Sequence, residues 1–136
     1  MIKAIHGINI AVADLNKARA YYETIFGVKS EPLGKDDFAF PGLVGARLDV
    51  GGTKINLIAS TEANTPVAQF VAKRGEGVFL IAAEVDDVGA TAAHLRKNGA
   101  AVVLDKPARG SWGAVNFVHP KSMHGVQWEL YEPKKG

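Results

Sequence analysis

One offset of 73 residues relates the two halves of this chain, and that repeat limits its fold more than any other feature. The matching residues lie in a first strand, a helix cap, a helix face and a last strand: Ile8 and Ile81, Asp14 and Asp87, Leu15 and Val88, Tyr22 and Leu95, and Leu57 and Leu130. Residues of similar class at one fixed spacing indicate a duplicated module. We therefore expect two copies of one supersecondary unit.

Each half begins with a strand that leads into a capped helix. Asp14 and Asp87 are residue types that favour helix N-termini, and Gly27 and Gly99 are placed to end the two helices. Alternating or continuous apolar residues predict the strands, at residues 8–12, 43–50 and 54–59 in the first half and at residues 78–85, 101–104, 114–118 and 126–131 in the second.

We expect one α+β domain over residues 1–136, built from two tandem βαβββ modules at residues 1–60 and 77–132. Between them, Thr65-Pro66 supplies an N-cap and a first-turn proline for a linking helix over residues 64–75. Each module has a helix on one face of its sheet. The other faces of the paired, curved, mixed sheets are therefore expected to enclose a cavity.

Composition narrows the functional classes. The absence of cysteine excludes disulfides and thiolate chemistry. A net charge of +2 from scattered Lys and Arg argues against nucleic acid, and the apolar stretch at residues 78–83 is too short to cross a bilayer. We expect a cytoplasmic protein with a small-molecule ligand, and neither a nucleic-acid nor a membrane partner.

Several segments resemble the vicinal oxygen chelate (glyoxalase, bleomycin resistance and dioxygenase) superfamily, and within it the methylmalonyl-CoA epimerases. They are HGINIAVADL, AYYETIFGV, GTKINLI, NTPVAQFVAKRGEG, EVDDVGATAAHLRKNGA and VNFVHPKSMHGVQWEL. The likeness covers residues 8–130. It implies a glyoxalase-like fold and a homodimer.

The resemblance also implies a divalent metal held by four inward side chains, one from the first and one from the last strand of each module. The corresponding positions are Gly7, Asn56, Leu80 and Glu129, of which Glu129 alone is a usual ligand. We therefore expect no metal cofactor. His6 stands one residue before the first position, so a regular strand points it to the edge or the helix side, whereas a bulge at Gly7 would turn it inward.

Amides replace the metal ligands in our interpretation. Asn9, Asn56 and Asn116 are expected to face the cavity from three strands, and they are proposed to bind a carbonyl oxygen, with Glu129 as acid or base. Asn56 and Glu129 are thus the catalytic candidates. The substrate-binding candidates are Asn9, Asn116, Trp112, Gln127 and Tyr131. The alternative for each is hydrogen bonding or packing within the protein.

Two functions remain open. The first is an epimerase or isomerase of a small carbonyl or acyl-CoA compound that acts without the usual metal. The second is a protein that sequesters a small molecule without chemistry, as drug-resistance proteins of the superfamily do. A fold alone does not decide between them.

Overall fold

The computed structural model describes residues 1–135. Strand, helix and three strands follow one another twice, with one further helix between the two sets. The strands are β1 Ile2–Ala11, β2 Glu31–Leu33, β3 Leu43–Val50, β4 Thr53–Ser60, β5 Gly77–Val85, β6 Ala108–Gly110, β7 Gly113–Val118 and β8 Trp128–Pro133, and the helices are α1 Leu15–Phe26, α2 Pro66–Arg74 and α3 Val88–Lys97. The expected α+β class and the βαβββ repeat are confirmed.

Side-chain caps start the helices where the sequence predicts them. Asp14 and Asp87 each accept a hydrogen bond from the backbone N–H three residues further on, at 3.1 and 2.9 Å. Thr65 caps α2 in the same way at 3.0 Å. Gly27 ends α1 with a φ of 68°, a left-handed conformation that glycine adopts at little cost.

The chain divides into two compact units, Gly7–Phe79 on the one hand and residues 1–6 with the chain from Leu80 onward on the other. The strand order is β2-β3-β4-β1 in the first unit and β6-β7-β8-β5 in the second. In each, the first strand of the repeat runs parallel to the last. The register repeats as well, since Ile8 lies opposite Ile55 and Ile81 lies opposite Trp128.

Each unit buries apolar side chains between its sheet and its helix. The buried residues are Val12, Leu48, Leu57 and Ala59 in the unit of α1, and Val85, Val88, Ala114, Val118 and Leu130 in the unit of α3. Helix α2 packs on the other face of the first unit, where Val67 contacts Ala11 and Ile58. Ala11 and Ile58 lie on the same strand faces as Asn9 and Asn56, and α2 covers them.

Residues 101–104 do not form the expected strand. Val102 makes an isolated bridge to Val118, and the Asn116 side chain binds both the N–H and the C=O of Leu104, at 3.0 and 2.9 Å. The Asn116 side chain thus occupies the N–H and C=O of Leu104, which a neighbouring strand would otherwise bind. Regular antiparallel pairing with β7 is found further along the chain, at β6. Strand β8 also begins later than residue 126, because His124, with a φ of 55°, turns the chain just before it.

Candidate functional site

A row of polar side chains crosses three strands of the Gly7–Phe79 unit, on the face opposite α1. Asn56 in β4 lies between its cross-strand neighbours, Arg47 in β3 and Asn9 in β1. Arg47 Nε donates a hydrogen bond to Asn56 Oδ1 at 2.9 Å, and Asn56 Nδ2 donates to Asn9 Oδ1 at 2.9 Å. We call these three residues the polar row. Asn56 is 6% exposed, whereas Asn9 and Arg47 are half-buried, so the centre of the row is buried and its two ends are partly accessible.

The chemistry of the groups fixes the direction of the row. A guanidinium only donates, so the Asn56 atom that faces Arg47 is the carbonyl oxygen, and its amino group faces Asn9. The outer groups of the row are then donors, namely Asn9 Nδ2 and the two terminal nitrogens of Arg47. Within residues 1–135 these groups have no hydrogen-bond partner. A row that ends in donors suits a ligand with oxygen acceptors.

The polar row lies between an apolar row and an ion pair. The apolar row consists of Gly45, Ile58 and Ala11. Phe38 reaches over Gly45, with its ring 3.3 Å from where a Cβ would lie. On the other side, Asp49 lies opposite Lys54 and pairs with its ammonium group. The guanidinium of Arg47 is therefore flanked by an apolar wall and by a carboxylate that already has a cation.

The ion pair sets the protonation of Asp49. The Lys54 hydrogen bond, together with the Gly52 N–H, lowers the pKa of the Asp49 carboxyl below its ordinary value of 3.8. Such a carboxylate stays ionised and is a weak base. Asp49 is accordingly a poor candidate for taking a proton from a substrate.

The four positions at which the resemblance implies metal ligands do not fit a divalent metal. A Cβ at Gly7 would lie 2.4 Å from the Lys54 carbonyl oxygen, so no ligand side chain fits there without a backbone shift. Leu80 is a hydrocarbon side chain that is 2% exposed. The Asn56 oxygen faces the positive charge of Arg47. Within residues 1–135, no three His, Cys, Asp or Glu side chains form a group that could hold a metal ion.

Glu129 lies in the second unit, in β8 between Phe117 of β7 and Ala82 of β5. Tyr131, two residues further along the strand, shares its face. The His6 ring packs against the Tyr131 ring, with centroids 4.6 Å apart. His6 therefore lies on the face of Glu129, and the expected position at the edge or on the helix side is wrong.

Asn116 does not share that face. It lies opposite Leu130 on the helix side of β7 and is 1% exposed. Its amide binds the backbone of Leu104 and the N–H of Phe117, the latter at 2.8 Å. The prediction that Asn116 joins Asn9 and Asn56 in a cavity-facing cluster is therefore wrong. Side chains alternate between the two faces of a strand, and Asn116 lies on the face that packs against α3.

Three further candidates lie around the β6–β7 hairpin and the start of β8. The Trp112 indole covers Gly110, and the Trp112 carbonyl accepts a hydrogen bond from the Tyr131 hydroxyl at 3.0 Å. Gln127 precedes β8, and its carbonyl accepts from Ile81 N at 3.1 Å. A groove of about 290 Å³ nearby is lined instead by Arg109, Gly110, Gly113, Glu132, Pro133, Lys134 and Lys135. The role of Trp112, Gln127 and Tyr131 in substrate binding stays a prediction.

Arg47 is the site residue that the sequence analysis missed. A signal for it existed in the Gly51-Gly52 turn. A two-residue turn pairs Val50 with Thr53, and counting back from that pair places Arg47 opposite Asn56. The alternation within β1, β4, β5 and β8 does not reveal Arg47, because only the register of β3 against β4 places it beside Asn56.

Comparison with known proteins agrees with the fold. The family model described as "Glyoxalase/Bleomycin resistance protein/Dioxygenase superfamily" matches residues 4–130. An ethylmalonyl-CoA/methylmalonyl-CoA epimerase of Cereibacter sphaeroides is 32% identical over 134 residues, which cover 96% of this chain and 98% of the relative. The mitochondrial methylmalonyl-CoA epimerase of Homo sapiens is 32% identical over 129 residues, 93% of this chain and 72% of the relative.

Solved structures give the same result. A variant of Streptomyces coelicolor methylmalonyl-CoA epimerase in complex with 2-nitronate-propionyl-CoA superposes with a TM-score of 0.88 at 33% identity. The match covers 99% of this chain and 100% of that one. The chain belongs to the glyoxalase/bleomycin resistance protein/dioxygenase superfamily.

Proposed function

We propose that the protein is an epimerase of an acyl-CoA or of another small carbonyl compound, and that it acts without a divalent metal. The observation that supports this most is the polar row, which stands at one of the family's ligand positions in a chain similar to acyl-CoA epimerases over nearly its whole length. There, a substrate oxygen would meet fixed N–H donors in place of a metal ion.

Epimerisation of such a substrate moves one proton. The C–H bond alpha to the carbonyl breaks, the proton passes to a base, and the electron pair moves onto the carbonyl oxygen to give an enolate. A proton donor on the opposite face, a protonated side chain or a water molecule, then gives a proton to the enolate carbon, and the centre is inverted. We assign Glu129 as the candidate acid or base. Asn56 anchors the donors, and its Nδ2 keeps a second N–H besides the bond to Asn9.

Hydrogen-bond donors can supply a transition-state stabilisation of the same order as a metal ion. A metal that polarises a carbonyl supplies several kcal/mol of transition-state stabilisation. One fixed hydrogen-bond donor supplies about 3 kcal/mol in a preorganised site. Two or three donors from the polar row therefore suffice in principle to stabilise the enolate oxygen.

Deuterium exchange tests the proposal. The protein is incubated in D2O with methylmalonyl-CoA, the compound named for its relatives, and the alpha proton is followed by NMR. We expect catalytic amounts of protein to replace that proton with deuterium, and a Glu129→Gln variant to slow the exchange strongly. Tight binding with no exchange above the background rate would reject the epimerase.

The loss of coordinating groups at Gly7 and Leu80 favours a second candidate, a protein that binds and sequesters a small molecule. Binding without chemistry needs neither an electrophile nor a base, so it tolerates both residues. The same experiment separates the two functions. Sequestration gives a saturable complex with the acyl-CoA and leaves its alpha proton in place.

We further propose that the protein acts in the cytoplasm as a homodimer. No helix within residues 1–135 is long and apolar enough to cross a membrane. The sequence contains no cysteine, and the family resemblance favours a dimer. Light scattering after size-exclusion chromatography, at the concentration used for activity, tests the oligomeric state. A monomer under those conditions contradicts it.

A further inference from the structure

In the described part of the chain, the Arg47 guanidinium is hydrogen-bonded at Nε only. Its Nε is bound to Asn56 at 2.9 Å, which orients the plane of the guanidinium. Its two terminal nitrogens have no hydrogen bond or ion pair within residues 1–135. In that part of the chain no buried side-chain nitrogen or oxygen lacks a partner, so both terminal nitrogens are accessible to solvent or to a ligand.

The nearest acids make no ion pair with Arg47 among the described contacts, although Arg47 is one of the charges that lower the pKa of Asp49. Asp49, two residues along β3 on the same face, is paired with Lys54 and accepts the Gly52 N–H at 2.8 Å. Glu31 lies opposite Arg47 on β2, is exposed, and makes no ion pair with it among the described contacts. A half-buried arginine without a carboxylate of its own is a binding group for an external anion.

We propose that Arg47 binds the oxygen atoms of the acyl substrate and gives the site a preference for acyl groups that carry a carboxylate beside the thioester carbonyl. This inference rests on the proposed function. The side chain that would give a ligand atom to a metal, Asn56, gives its oxygen to Arg47 instead. The guanidinium thus supplies positive charge beside the position from which the metal ligand is lost.

The shape of the guanidinium explains the preference. Its planar fork matches two oxygens at once, either those of a carboxylate or one carboxylate oxygen and the thioester oxygen, whereas an ammonium group binds as a point charge. When the alpha proton leaves, negative charge grows on the thioester oxygen, and hydrogen bonds from Arg47 become stronger. Gly45, two residues before Arg47 on the same face of β3, lies under the Phe38 ring, so the neighbouring position on that side is apolar and offers the guanidinium no competing acceptor.

Binding measurements with two probes test the assignment. Methylmalonyl-CoA carries the extra carboxylate, and propionyl-CoA lacks it. By calorimetry we expect the unchanged protein to bind methylmalonyl-CoA on the order of 10- to 100-fold more tightly than propionyl-CoA. Arg47→Met should remove the preference, and Arg47→Lys should keep part of it because the charge remains. Arg19→Met serves as the matched control and should leave the preference intact, because Arg19 is likewise half-buried but lies on α1, on the opposite face of the sheet, and pairs with Glu23.

The outcomes separate this inference from the proposed function. Thermal unfolding first verifies that Arg47→Met is folded, and Arg47→Lys supplies the comparison if it is not. A preference that survives in the folded Arg47→Met variant overturns the assignment, even if the protein exchanges deuterium. An Arg47-dependent preference without deuterium exchange supports the assignment and rejects the epimerase.

Discussion

Asn56 gives its oxygen to an arginine and its amino group to Asn9, whereas Asn116 gives its amide to main-chain atoms of Leu104. The two asparagines lie on opposite faces of their sheets relative to the helices. Buried main-chain groups need partners, so Asn116 stabilises the fold. Asn56 belongs to a row whose outer groups point to no protein acceptor within residues 1–135, so it is available for function.

Asn116→Ala should lower the free energy of unfolding by about 1 to 3 kcal/mol, because the N–H and C=O of the half-buried Leu104 lose their partners. Urea denaturation measures the change. The control is Asn64→Ala, an exposed asparagine, for which we expect a change within about 0.5 kcal/mol. Loss of acyl-CoA affinity at unchanged stability would contradict the structural role.

The ion pair of Asp49 predicts a pH dependence. Lys54 and the Gly52 N–H lower the pKa of Asp49 in the folded chain below 3.8. The stabilisation is therefore present above that value and is lost as the pH falls through the lowered pKa. Asp49→Asn should be less stable than the unchanged protein at pH 6, and the two should converge as the pH drops below 3.8. Denaturation midpoints of the two proteins, measured across this pH range, test the prediction. A stability difference that persists well below pH 3.8 would contradict the role of the Asp49–Lys54 ion pair.

At the level of elements, the features that local chemistry determines were predictable. The caps Asp14, Asp87 and Thr65 and the hairpin turn follow from residue type and period. The directions of His6 in β1 and Asn116 in β7 did not follow from the alternation. The short strands β2 and β6 were not predictable, because three residues carry no periodicity. Residues 101–104 look like a strand, but a side chain distant in sequence, that of Asn116, competes for their backbone groups.

Strands β1 and β4 approach each other closely at Gly7. A Cβ at Gly7 would lie 2.4 Å from a backbone oxygen of Lys54, whereas a Cβ at Gly34 would meet nothing within 4 Å. Gly7→Ala should therefore destabilise the protein by about 1 to 3 kcal/mol, and Gly34→Ala should not. Thermal unfolding compares them. Equal stability of the two variants would show that β1 moves easily and would reopen this position to a histidine ligand.

At the scale of the whole molecule, duplication preserved the register and changed the residues placed on it. The offset of 73 relates the Asn9–Asn56 pair to the Ala82–Glu129 pair. One copy carries N–H donors and a positive charge, and the other carries a carboxylate. The scaffold follows from the sequence by repeat arithmetic, but the proposed role of Arg47 in place of a metal depends on its cross-strand contact with Asn56.

Metal dependence tests this account most directly. The protein is purified, treated with chelator, analysed for metal content, and assayed for exchange of the alpha proton of methylmalonyl-CoA before and after addition of zinc, cobalt or nickel ions. We expect metal far below one ion per chain, and a rate that neither falls with chelator nor rises with added ions. Stoichiometric bound metal, or activity that disappears with chelator and returns with a divalent ion, would contradict the central claim.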